Sequence, residues 1–200
     1  MEKNYVPPQV QGKQLDIFED KRFPSAAEAF TAFSQTRERL LDINRWHEYA
    51  GAPSAQFQLV DHKGTPVEGK PQIGHYIQID IPGPGSPRGH GYDWVAITHM
   101  TDQPTDGFVQ FTVSPSPPPQ DDTNEVAHFF HQYASSTFQA EVKGDVLAVS
   151  YFGRNEQINL QNERISDTIR NAIIGLSAKL GFSYPQWKKL VQGLIENDNN

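Results

Sequence analysis

The stretch from Ile165 to Leu180 constrains this chain more than any other. Ile165, Ile169, Ala172, Ile173, Leu176 and Leu180 recur at steps of three and four, which aligns them as one apolar stripe on a helix. Asp167, Thr168, Arg170, Asn171, Ser177 and Lys179 fall mostly on the other side, and Gly181 follows where a left-handed C-cap is expected. Upstream, from about Phe57 to Phe152, the period changes to two and the chain reads mainly as strands. A striped helix and a one-sided sheet must cover each other, because neither hides its apolar face alone. The expected class is therefore α+β: a curved antiparallel sheet of about seven strands gripping a long carboxy-proximal helix.

The order of elements follows from local signals. Met1 to Gly12 has no periodicity and contains Pro7 and Pro8, so a flexible amino-terminal arm (1–12) is expected before a single domain over 13–197. Leu15 and Ile17 suggest a first strand. Ser25 and Glu28 have the spacing of a capping box, and Ala29, Phe30, Phe33, Leu40 and Leu41 suit one buried side of a helix. A second helical turn is expected through Ile43, Trp46 and Tyr49. Strands are then expected at Gln56–Val60, His75–Ile81, Tyr92–Met100, Phe108–Val113, Thr137–Val142 and Val146–Phe152. Pro115, Pro117, Pro118 and Pro119 interrupt this series, since proline does not sit in a central strand. A last helix is expected from Pro185, with Trp187, Leu190, Val191, Leu194 and Ile195 on one side.

Composition narrows the function. A formal charge of -7, with no basic cluster longer than a pair, argues against a nucleic-acid binder, which needs a positive surface to displace counterions. Without cysteine the chain has no disulfide scaffold and no thiolate chemistry. No apolar run is long enough for a membrane span, and the first residues show no signal-peptide core, so a cytoplasmic protein is expected. No phosphate-binding loop, zinc motif, serine elbow or dinucleotide fingerprint is present, and no metal or other cofactor is expected.

Ser25 to Phe33, followed by Leu41-Asp42-Ile43-Asn44-Arg45-Trp46-His47-Glu48-Tyr49, is a helix, an aspartate and an aromatic-rich turn ahead of the second strand. Together with the order of elements from Gln14 to Leu180, this resembles the START-related helix-grip superfamily (SRPBCC). That superfamily includes lipid-transfer domains, plant allergen-type ligand carriers and polyketide cyclase-like proteins. The resemblance implies a deep cavity between sheet and long helix, but no particular ligand and no fixed catalytic set.

Several residues could serve such a cavity. Trp46, Trp94 and Phe111 are large aromatics suited to lining a pocket, as they are to an ordinary core. His75 shares the strand parity of Ile77 and Ile79, and His99 that of Val95 and Ile97. Both histidines are therefore expected on the buried side, as satisfied core residues or as acid–base groups. Arg154 could clamp an anion, or pair with Glu156 or another acid of the fold. His128 and His131 are too few for a zinc site. The Gly/Pro stretch Pro82–Gly91 is a shaped loop, read either as a flap over a cavity mouth or as an elongated hairpin connection.

Three functions fit. The preferred one is binding of a small apolar molecule or lipid between sheet and long helix. The second is a cyclase- or hydrolase-like enzyme using the same cavity, with His75 or His99 as the acid–base group. The third is an interaction protein whose terminal helix packs on a partner or a second copy, as a homodimer. One consequence of the stripe is independent of function. Ile169→Asp should unfold or severely destabilise the domain, because it buries an unpaired charge against the sheet. A thermal melt matching the parent would show that this face is not buried.

Overall fold

The computed structural model describes residues 5–52, 54–81, 89–121, 132–157 and 184–196. The Ile165–Leu180 stripe, the histidine pair His128 and His131, and residues 82–88 of the Gly/Pro stretch lie outside the described residues.

Strand β1 (Lys13–Arg22) leads into helix α1 (Ala26–Leu41). Ser25 is the N-cap: its hydroxyl oxygen accepts the Glu28 backbone N–H at 3.2 Å and its O–H donates to Glu28 Oε1 at 2.9 Å. The helix buries Ala32, Phe33, Leu40 and Leu41 against the sheet. A 3₁₀ turn (Ile43–Arg45) carries the chain into the short helix α2 (Trp46–Ala50), which stops at Gly51, whose φ of 66° only glycine adopts freely. Strands β2 (Gln56–Val60), β3 (Tyr76–Asp80), β4 (Asp93–Gln103), β5 (Phe108–Pro115), β6 (Ser135–Lys143) and β7 (Val146–Glu156) follow as a meander. All seven strands form one antiparallel sheet in the order β1-β7-β6-β5-β4-β3-β2. The class is α+β, and the part of the helix-grip order from β1 to β7 is present as expected, while its long helix lies outside the described residues. Pro115 is the last residue of β5, where a missing N–H does least harm to the ladder.

A helix through residues 184–195 packs on the same face of the sheet as α1. Its Leu190, Val191 and Leu194 are fully buried. Each such side chain is worth about 1.5–3 kcal/mol when removed from water, more than the roughly 1 kcal/mol net of a typical hydrogen bond. Packing therefore supplies the energy, and hydrogen bonds fix the orientation. Thr36 Oγ1 donates to the Leu194 carbonyl at 3.0 Å, Gln186 Oε1 accepts the Ala55 N–H at 3.0 Å, and Gln192 Nε2 donates to Glu19 Oε1 at 3.0 Å. The last turn of a helix leaves carbonyls without partners, and α1 supplies donors to two of them, Thr36 to Leu194 and Arg39 to Glu196.

Two insertions interrupt the alternation of the sheet. In β4, Ile97 faces Val113 but His99 faces Thr112, so Thr98 is an extra residue. In β7, Gly153 faces Leu15 and Glu156 faces Lys13, so Arg154 and Asn155 together oppose Gln14. Each bulge moves the residues beyond it to the other face. For His99 this overturns the parity expected from sequence: Val95 and Ile97 point into the core, whereas His99 points out and is exposed.

Residues 5–12, expected as an arm, run over the outer face of the sheet. The Tyr5 ring stacks on His99 at 4.2 Å, and the Tyr5 N–H donates to Gln110 Oε1 at 2.8 Å. Beneath lie buried polar pairs, Gln110 to Gln139 at 2.8 Å and Thr112 to Thr137 at 2.8 Å.

The tight seat of the terminal helix gives a test of sign. Glycine to alanine inside a helix normally gains about 1 kcal/mol of helix propensity. At Gly193, however, an added Cβ would lie 1.8 Å from the Tyr49 carbonyl oxygen. Gly193→Ala should therefore destabilise the fold, by about 1–3 kcal/mol, the range for overpacking. Urea unfolding of the two proteins measures it, and a stabilised variant would show that helix and α2 are not in contact.

Candidate functional site

The interior between the sheet and the terminal helix is built of aromatic rings. Trp46 lies 4.8 Å from Phe138 and 5.4 Å from Phe57, centroid to centroid, and Phe111 lies 5.4 Å from Phe138. Trp187, from the terminal helix, meets Phe138 edge-on at 5.2 Å and stacks on Tyr151 at 5.3 Å with 17° between the planes. Trp46 and Tyr151 are fully buried, while Trp187 is half-buried. Such edge-to-face and offset contacts suit the ring quadrupoles. The indole N–H of Trp46 donates to the Leu40 carbonyl at 3.1 Å, so this ring is held at its polar end by α1.

One end of this apolar interior is polar. The Tyr151 hydroxyl lies 2.9 Å from Ser136 Oγ and donates to Glu156 Oε1 at 3.4 Å. Strict alternation would place Glu156 outside. The bulge at Asn155, with φ of 56°, turns it inward instead. The carboxyl then folds back over Gly153, where a Cβ would sit 2.3 Å from Glu156 Oε1 and 3.2 Å from the Tyr151 hydroxyl. Position 153 must therefore be glycine for the acid to occupy this place.

Burial disfavours the charged forms of both groups. It raises the Glu156 carboxyl from its ordinary 4.5 to about 7, against the opposing pull of the Tyr151 hydrogen bond and the charges of Lys13 and Arg154. It holds the Tyr151 phenol well above its ordinary value, with the Glu156 charge acting in the same direction. Near neutral pH the pair can thus donate a hydrogen bond from a neutral acid or accept one as a carboxylate. Perturbed acids in apolar surroundings are characteristic of functional sites, though ion-pair networks perturb them too.

The residues singled out from sequence do not form one constellation. Trp46 and Phe111 are in the aromatic interior. Trp94 is on the opposite face of the sheet, packed with Val60, Tyr76 and Tyr92, and its indole N–H donates to the Gly89 carbonyl at 3.3 Å. His99 is also outside, under Tyr5. His75 lies just before β3, half-buried, with Nδ1 buried and without a hydrogen-bond partner among the described residues. Arg154 points outward, where it pairs with Asp16 and lies 5.6 Å from the centre of the Phe152 ring. Glu156, Tyr151 and Ser136 were not legible as a group, since the parity that joins them depends on the bulge. A separate open cleft of about 370 Å3 lies at the junction of α1, α2 and the chain at 68–70. Of its charges, Arg45 pairs with Glu48 and Lys70 with Glu38. Among the described residues no group of three or more His, Cys, Asp or Glu could hold a metal, and no helix is long and apolar enough to cross a membrane.

Because the folded Glu156 holds its proton to about pH 7 and a free glutamic acid releases it near 4.5, the folded state binds more protons in that window. Stability from this group is present below about 4.5 and is lost as the pH rises to about 7. Glu156→Gln, which cannot ionise, should match the parent at pH 4 and exceed it at pH 8 by about 1–3 kcal/mol, since one pKa unit is 1.36 kcal/mol. Urea melts at the two pH values check this. Equal stability at pH 8 would show that the carboxyl is not buried.

No family model matches the chain, and no curated protein matches it. Solved structures similar to it include hypothetical protein jhp0584 from Helicobacter pylori, at 9% identity and a TM-score of 0.47 over 91% of this chain and 84% of that one. A START superfamily protein from Mycobacterium smegmatis is similar at 12% identity and a TM-score of 0.42, over 92% and 99% of the two chains. The Zhui aromatase/cyclase from Streptomyces sp. R1128 is similar at 8% identity and a TM-score of 0.41, over 91% and 94%. Likenesses of this degree say nothing about ligand or reaction, and the fold rests on the strand order and register given above.

Proposed function

We propose that the protein binds a small, largely apolar molecule between the sheet and the terminal helix, with one hydrogen-bonding group of that molecule against Glu156 and Tyr151. The observation that carries this reading is a hydrogen-bonded acid and phenol buried at the end of an aromatic interior. An apolar residue at position 156 would serve stability better, since a buried ionisable group is costly. Small-molecule sites are commonly apolar surfaces with a few such polar groups that orient the ligand. The rings of Trp46, Phe138 and Trp187 touch one another, so a ligand enters by displacing one of them. Trp187 is the candidate, being half-buried and carried by the terminal helix.

The polar end favours an uncharged ligand. Below about pH 7 the Glu156 carboxyl is protonated and can donate to a carbonyl or hydroxyl oxygen. A carboxylate ligand would instead oppose a second acid, and of the two cations acting on Glu156, Arg154 points to the other face and Lys13 is exposed to solvent. A second reading, an acid–base enzyme, draws on the same pair, because an acid titrating near 7 is suited to proton transfer. In that case Glu156 replaces His75 and His99 as the group to mutate first.

Trp46 and Trp187 lie in this interior and report on it. Titration with long-chain alcohols, methyl ketones, planar aromatic ketones and fatty acids should give a saturable change in tryptophan fluorescence for the neutral compounds at pH 6. The affinity of the ketones, which only accept, should weaken by about tenfold at pH 8, the loss of one donor contact of about 1.4 kcal/mol. The alcohols, which can donate to the carboxylate, should not weaken in this way. Affinity should fall in Tyr151→Phe. A flat response across the whole panel, with the protein folded, counts against ligand binding.

A further inference from the structure

We infer that Asn155 is a positioning residue: the amino-terminal segment 8–12 clamps it in a left-handed conformation, and that turn aims the Glu156 carboxyl into the interior. Gly153 points inward and Arg154 outward, so an unbroken strand would carry Asn155 in and Glu156 out. The left-handed backbone of Asn155 reverses this. Asparagine tolerates that conformation better than other side chains, but only glycine adopts it freely, so the turn needs outside support.

The segment supplies it on every polar atom that Asn155 offers to that side. Asn155 Nδ2 donates to the Pro8 carbonyl at 3.0 Å, and its backbone N–H donates to Gln9 Oε1 at 2.9 Å. Its Oδ1 accepts the Val10 N–H at 2.7 Å and the Gln11 N–H at 3.1 Å. Donor and acceptor are both used, which aspartate could not reproduce. Gly12 closes the clamp: its φ is 70°, and a Cβ there would lie 2.7 Å from the Glu156 carbonyl oxygen. The segment that crosses the outer face of the sheet thus sets the direction of a side chain on the inner face.

The consequence for ligand rests on the proposed reading of Glu156, whereas the clamp itself is read from ligand-free protein. The measurement is the carbon-13 titration of the Glu156 carboxyl in the full chain, with ligand affinity for the neutral compounds beside it. Asn155→Val removes the three side-chain bonds of the clamp and resists the left-handed region. It should lower the Glu156 titration by about one unit or more from its value near 7, toward the exposed-carboxyl range. Asn155→Gly keeps the conformation accessible and should stay within about half a unit of the parent. Gln9→Ala, a change in the segment alone, should shift the titration in the same direction as Asn155→Val but less. The inference is overturned if Glu156 titrates as in the parent in both Asn155→Val and Gln9→Ala. Should Asn155→Val not fold, Gln9→Ala decides by the same criterion. If the titrations move as expected while no compound binds, the clamp stands and the binding reading fails.

Discussion

Antiparallel pairing gives side chains a period of two, so one residue inserted into a strand sends all that follow it to the opposite face. The inner face of this sheet depends on two such insertions. The extra residue at Thr98 expels His99 and brings Met100 beside Phe111. The extra residue in β7 admits Glu156 to the side that Tyr151 and Gly153 already face. The first lies at the middle of β4 and the second at the end of β7. Without them the interior would hold a histidine at one place and lack its acid at another.

Around that face the helices are fitted by close approach. Gly193 lets the terminal helix reach the Tyr49 carbonyl, and Thr36 ties α1 to Leu194. Trp187 is thereby carried into the ring cluster formed by Trp46, Phe57, Phe138 and Tyr151. The contact energy is spread over many ring atoms, each contributing little alone. That is why a half-buried ring such as Trp187 can be both a structural contact and the part of the interior most easily displaced.

The two faces of the sheet have different chemistry. Among the described residues the inner face is mainly apolar, with Glu156 and Asp93 as buried acids. The outer face carries hydrogen-bonded pairs of threonine and glutamine beneath residues 5–12, and the ion pair of Arg154 with Asp16. An arginine already paired with a carboxylate and lying over an aromatic ring has its charge and its planar face occupied. The site's electrostatics are therefore set by desolvation of Glu156, with Arg154 and Lys13 only moderating it from outside.

Local signals determined much of this chain. The cap at Ser25 fixes where α1 begins, alternation in β3 fixes which residues are buried, and in β5 it fixes which of the buried residues face the helices, Phe111 among them. The α+β class followed from a striped helix and the change of period to two, and Trp46, in its aromatic-rich turn, is buried. What alternation cannot contain is its own interruption. The bulges at Thr98 and Asn155 arise where strand pairing and the crossing segment 5–12 meet, and neither is encoded by spacing within one strand. Trp94, by contrast, obeys its strand's alternation with Val95, but which parity faces the helices is decided only when sheet and helices pack. Among the described residues the sequence by itself therefore determined the elements and most of the core. Tertiary structure alone decided that Glu156, Tyr151 and Ser136 meet, because contacts between residues far apart in the chain set the direction of each side chain.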